Sequence, residues 1–159
     1  MSKDNMKKSV EARYYRGMAK YMLVIGLIFS AIAALLFIPS EGDIRFLYVY
    51  LGLVGFIFLV LLPFIVHYLI SYFVLFHHLE LYEVIPAHFV EGSYGGRFGT
   101  VFTAQFKLHD RLMKMDTHRI FETTFPPFSF IPEIGDYANR DVKVAYSPDC
   151  DAVIVLGLM

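Results

Sequence analysis

Two long runs without a charged residue constrain this chain more than any other feature. No Asp, Glu, Lys or Arg occurs from Tyr21 to Ser40, and none from Phe46 to Leu79. A helix needs about 20 apolar residues to cross the roughly 30 Å hydrocarbon core of a bilayer. Both runs reach that length, so the chain reads as a membrane protein with a two-helix transmembrane hairpin over residues 21–78. The first helix is expected over about 20–38 and the second over about 45–76. The second run is too long for one straight crossing at about 1.5 Å per residue. Pro63, which removes a helical hydrogen bond, is the expected kink. The crossing should then end near Val66 or Leu69. Tyr68, Tyr72, Phe73, Phe76, His77 and His78 follow, aromatic and polar-tipped residues suited to the headgroup level.

Charge sets the expected topology. The segment 1–20 carries Lys3, Lys7, Lys8, Arg13, Arg16 and Lys20 against Asp4 and Glu11. It reads as a basic tail explained by topology or by anionic lipid. Basic residues before a first span favour the cytoplasmic side. Two spans joined by a turn at Ser40-Glu41-Gly42-Asp43 then return the chain, placing both termini in the cytoplasm and the protein in the inner (plasma) membrane. The competing arrangement has one span, a re-entrant second stretch and an outer domain. The first run is longer than a signal-peptide core and ends Phe37-Ile38-Pro39-Ser40, without an Ala-x-Ala site, so it is read as retained.

Small residues mark where the helices approach one another. Gly26, Ser30 and Ala34 recur at four-residue spacing, a pattern that admits a second helix backbone. Packing inside the hairpin against Gly52 and Gly55 is one use of this stripe. Self-association between copies is the other.

After Leu79 the pattern changes to short β runs broken by turn residues, giving a domain over 79–159. Val84 to Val90 reads as a strand that Pro86 relegates to an edge. Thr100 to Leu108 alternates, with Phe102, Ala104, Phe106 and Leu108 on one face. His109-Asp110 is the expected hairpin turn, and Arg111 to Ile120 the returning strand. Val142 to Tyr146 and Ala152 to Leu158 complete about five strands, with Val142, Val144, Val153 and Val155 facing the core. A small all-β, barrel-like domain fits this count, because closure removes edges. Between strands lies Phe125-Pro126-Pro127-Phe128-Ser129-Phe130-Ile131-Pro132. Its Phe125, Phe128 and Phe130 either cover the domain core or contact membrane or partner.

The close of the chain carries a motif: Gly135-Asp136, then Val142-Lys143-Val144-Ala145-Tyr146-Ser147-Pro148-Asp149, then Asp151-Ala152-Val153. It resembles the end of the domain-of-unknown-function family numbered 3592, over roughly Val84 to Leu158. Four additional residues precede Val142, and Cys150-Asp151 stands where Asn-Pro is common. The resemblance implies a small, mostly bacterial membrane protein with a β domain beside one or more membrane helices. It implies no catalytic residue. Read physically, Gly135, Asp136, Tyr146 and Pro148 serve the fold: Tyr146 buries its ring, and Pro148 and Asp149 make a turn.

No residue set rises to a catalytic signature. The single cysteine, Cys150, excludes an internal disulfide or a cysteine-based zinc site. His67 has Ser71 and His78 near its helix face, but no histidine on a second helix to complete a haem or metal site. His77-His78 are adjacent and diverge on a helix. Gly92, Gly95, Gly96 and Gly99 precede a strand, whereas phosphate loops lead into a helix. The acidic balance after Leu79 lacks the footprint of a nucleic-acid binder. No cofactor or metal is expected. The role expected is a non-enzymatic interaction or assembly protein, with the bilayer and a protein or second copy as partners. The alternative is a small channel or transporter subunit assembled through its helices.

Overall fold

The computed structural model describes residues 1–37, 44–77, 79–94, 100–120, 137 and 139–159. Its helices are α1 (Lys3–Lys8), α2 (Val10–Phe37) and α3 (Ile44–Val74), followed by a short 3-10 turn at Leu79–Leu81. Its strands are β1 (Glu83–Tyr94), β2 (Thr100–Leu108), β3 (Arg111–Asp116), β4 (Asp141–Tyr146) and β5 (Ile154–Leu158). Contacts divide the chain into two compact units, Met1–Gly17 with Tyr72–Met159, and Met18–Ser71.

The second unit is a pair of helix segments, and α2 and α3 are both long and apolar enough to cross a membrane. The less exposed residues of α3 (Tyr50, Val54, Ile57, Phe58, Leu61, Ile65, Tyr68, Ser71 and Tyr72) recur at three- and four-residue spacing. That spacing keeps one seam facing a neighbouring helix. The outward residues are large and apolar, with Leu35 and Leu59 each 71% exposed. Helix α3 continues through Pro63 as one element.

The first unit departs from expectation at its start. Residues 1–17 are not a solvated tail. They fold with the sheet. The physical reason is an apolar stripe among the charges. Met6, Val10, Tyr14 and Met18 stand four residues apart, and all four are buried. Ser2 caps α1 by accepting from the Asn5 N–H at 3.2 Å. Ser9 breaks α1 from α2 and accepts from the Ala12 N–H at 3.1 Å, so it caps α2 from a buried position. Ser9→Ala should therefore cost about 1 kcal/mol, the usual value of a lost N-cap. Chemical unfolding of the full chain in detergent measures this.

The five strands form an antiparallel sheet in the order β3-β2-β1-β4-β5. Its core face holds Ile85, Ala87, Phe89, Phe102, Ala104, Phe106, Val142 and Val144, all buried. Phe89 and Phe102 stack at 5.3 Å. A smaller cluster joins Met6 and Ala12 to Leu75, Leu79, Ala145 and Ile154. The β2–β3 turn is the expected His109-Asp110, with both residues at positive φ, 46° and 63°. Such a two-residue turn matches strand twist.

Two strand expectations are corrected. β1 is not an edge, because it pairs with β4 over Glu83–His88 and with β2 over His88–Tyr94. Pro86 is tolerated because the β1–β2 ladder begins only at His88. Nor does the sheet close into a barrel. Among the described residues, its two outer edges meet just beyond the strands at the parallel bridge of Thr117 with Val153, where the Val153 N–H reaches the Asp116 carbonyl at 3.0 Å. The next N–H on that edge, from Val155, bonds the Glu11 carboxyl instead. A side chain of α2 thus takes the rung that a continuing strand pair would use.

Candidate functional site

Glu11 is the chemically singular residue of the first unit. It lies ten residues before the uncharged run, in the part of α2 that folds with the sheet. It is fully buried, and both carboxyl oxygens lie 2.9 Å from the Val155 nitrogen. Burial pushes its carboxyl up to about 8, opposed by the Val155 N–H, its own N–H and the charge of Arg13. A group desolvated this far holds its proton at neutral pH. Arg13 Nε is buried without a hydrogen-bond partner among the described residues.

Two further groups belong to this neighbourhood. The Tyr82 hydroxyl and Cys150 Sγ are 3.3 Å apart. Burial, and then this contact, pushes the Tyr82 phenol well above its ordinary range, with Glu11 adding to the shift. The Met1 nitrogen donates to the Leu79 carbonyl at 3.0 Å, a second tie between the start of the chain and the segment after α3. These contacts join the start of α2 to β5 and Tyr82 to the segment between β4 and β5.

A groove of about 450 Å³ opens where β1 and β2 part, lined by Pro86, His88, Gln105, Lys107, Leu112 and Met159 among others. Its cause is local. Pro86 has no N–H to give β2, so pairing stops at His88 with Gln105. His88 Nδ1 lies 2.8 Å from Asp141 Oδ1, and both side chains are exposed. Its described lining contains no Ser, Thr or Cys.

The residues singled out from sequence fall in separate places. Gly26 is buried in the hairpin seam, where an added Cβ would stand 3.1 Å from Leu61 and 3.3 Å from Phe58. Ser30 spends its hydroxyl on the Gly26 carbonyl at 2.8 Å, and Ala34 is half-buried. Gly52 and Gly55 do not oppose that stripe, since an added Cβ at either meets nothing within 4 Å. The bulky Phe58 and Leu61 fill the space left by Gly26 instead. His67 and His77 are exposed, and His78 lies outside the described residues. Among the described residues no three His, Cys, Asp or Glu side chains converge for a metal.

In the closing motif, Val142, Val144, Val153 and Val155 are fully buried. Tyr146 is only half-buried, its ring 5.4 Å from that of Phe106, and Pro148 is exposed. The turn is held by Ser147 and not by Asp149. The buried Ser147 accepts from the Asp149 N–H at 3.4 Å, and its carbonyl from the Cys150 N–H at 3.1 Å. Tyr146→Ala should accordingly cost about 1 to 2 kcal/mol in chemical unfolding, less than deletion of a fully buried ring. Gly135, Asp136, Phe125, Phe128 and Phe130 lie outside the described residues. Sequence reasoning passed over Glu11, Tyr82 and His88. Only Glu11 had a signal, its place next to Val10 and three residues before Tyr14, beside the apolar stripe.

Among known proteins, no family model, curated protein or solved structure matches this chain.

Proposed function

We propose that this chain is a non-enzymatic, membrane-anchored interaction protein whose β unit stands at the cytoplasmic face of the plasma membrane. The observation that carries the reading is the composition of the first unit. It contains both the segment before the uncharged helices and the segment after them, tied through Glu11 to Val155 and Met1 to Leu79. A chain that leaves and re-enters one folded body crosses a bilayer an even number of times. The apolar outward faces of α2 and α3 support insertion, because contiguous patches of that kind are not left in water. The basic residues of the first unit support a cytoplasmic position. A second copy or another protein is the partner, and the open sheet surface around the His88 groove is a place for it. Native mass measurement of the protein released in nanodiscs tests this. A particle heavier than one chain with its lipid is expected, and a strict monomer without companions overturns the reading.

A channel or transporter subunit is the second reading, and one observation favours it. Gly52 and Gly55 leave α3 open to close approach by another helix. Leucine at both positions should then dissolve the assembly, whereas unchanged assembly removes the basis for this reading.

A further inference from the structure

We propose that Glu11 is a proton-operated latch, which holds the start of α2 on the β5 edge while protonated and releases it when the proton is lost. The geometry comes first. Glu11 caps the one edge position where the parallel bridge between Thr117 and Val153 stops, so the helix start is attached at the seam of the sheet. Both carboxyl oxygens converge on one backbone N–H from outside their own helix. A buried carboxylate is stable when several donors surround it. Here the donors are the Val155 N–H and the Glu11 N–H, and burial outweighs them.

The groups around the latch reinforce this. The Tyr82 phenol, in contact with Cys150, lies within electrostatic reach of Glu11, and burial keeps it protonated. From α2 itself comes Arg13, whose charge favours release of the proton but is outweighed by burial. The lysines of α1, Lys3, Lys7 and Lys8, are exposed, as is Asp4. Strand β5 carries no titratable side chain. Raising the pH therefore places a buried negative charge at the seam, offset only in part by Arg13, and opening lets water solvate it. Because α2 runs unbroken from Val10 to Phe37, the latch sits on the same helix as the first uncharged run.

Tryptic cleavage after Arg13 in the full chain in nanodiscs tests the proposal, with rates normalised to an unstructured peptide of the same local sequence. A carboxyl held up to about 8 makes release about tenfold more frequent at pH 9 than at pH 7. The normalised rate should rise by about that factor in the native protein and stay within about twofold in Glu11→Gln. A native rate that does not change, or an equal rise in Glu11→Gln, overturns the latch. Infrared spectroscopy of the native protein needs no variant. A protonated-carboxyl band should persist at about pH 6, where exposed carboxyls are ionised. Its absence there also overturns the proposal.

Discussion

Glu11→Gln is expected to flatten the dependence of stability on pH. The folded carboxyl is raised from 4.5 to about 8, so its contribution is complete below about 4.5 and is lost as the pH climbs to about 8. Each unit of displacement corresponds to about 1.4 kcal/mol, so the native protein gives up on the order of 3 kcal/mol between pH 4.5 and 7. Glutamine keeps an oxygen for the Val155 N–H and cannot ionise. Its amide needs an acceptor of its own, at a cost of about 1 to 3 kcal/mol. The two stability curves should therefore cross, with the variant weaker in acid and stronger above neutrality. Chemical unfolding of the full chain in detergent, followed by circular dichroism across this range, measures the crossing. Parallel curves would show that Glu11 is ionised in the folded state.

Phe102→Ala should weaken the first unit by about 3 to 5 kcal/mol, the range for a deleted core phenylalanine. Phe102 is 1% exposed and stacks on Phe89. Its backbone also anchors the sheet seam. The Phe102 N–H donates to Thr117 Oγ1 at 3.0 Å, and its carbonyl accepts from the Thr117 N–H at 2.8 Å. The loss is a large share of the roughly 5 to 15 kcal/mol that a domain commands. The denaturation midpoint should fall with little change in slope. Leu112→Ala is the control, since Leu112 lies on β3 and is 66% exposed, and it should stay within about 0.5 kcal/mol of the native protein. Equal effects of the two substitutions would place the core elsewhere.

Local patterns in the sequence are reproduced where a single element decides them. The uncharged runs became α2 and α3, and the alternation from Thr100 to Leu108 became β2 with the same ends. His109-Asp110 became the turn because both residues tolerate positive φ. What sequence did not disclose depends on distant contacts. The stripe of Met6, Val10 and Tyr14 is short and surrounded by lysine and arginine, so charge masked it. The burial of Glu11 follows from β5, 144 positions away. Pro86 argued for an edge strand, and the effect is there, but confined to the side of β1 where the ladder to β2 has not begun. The barrel expected from five strands fails at one seam, where a carboxyl replaces a strand.

The two-span arrangement predicts which positions share a side of the membrane. Single cysteines at Lys3, Ser40 and Lys114, each in a Cys150→Ser background, are to be probed with a membrane-impermeant thiol reagent in intact and in permeabilised cells. Lys3 and Lys114 belong to the first unit, so both should label only after permeabilisation, while Ser40 labels in intact cells. Labelling of Ser40 and Lys114 from the same side would contradict two crossings, and labelling of Lys3 and Lys114 from opposite sides would contradict the single folded unit that joins them.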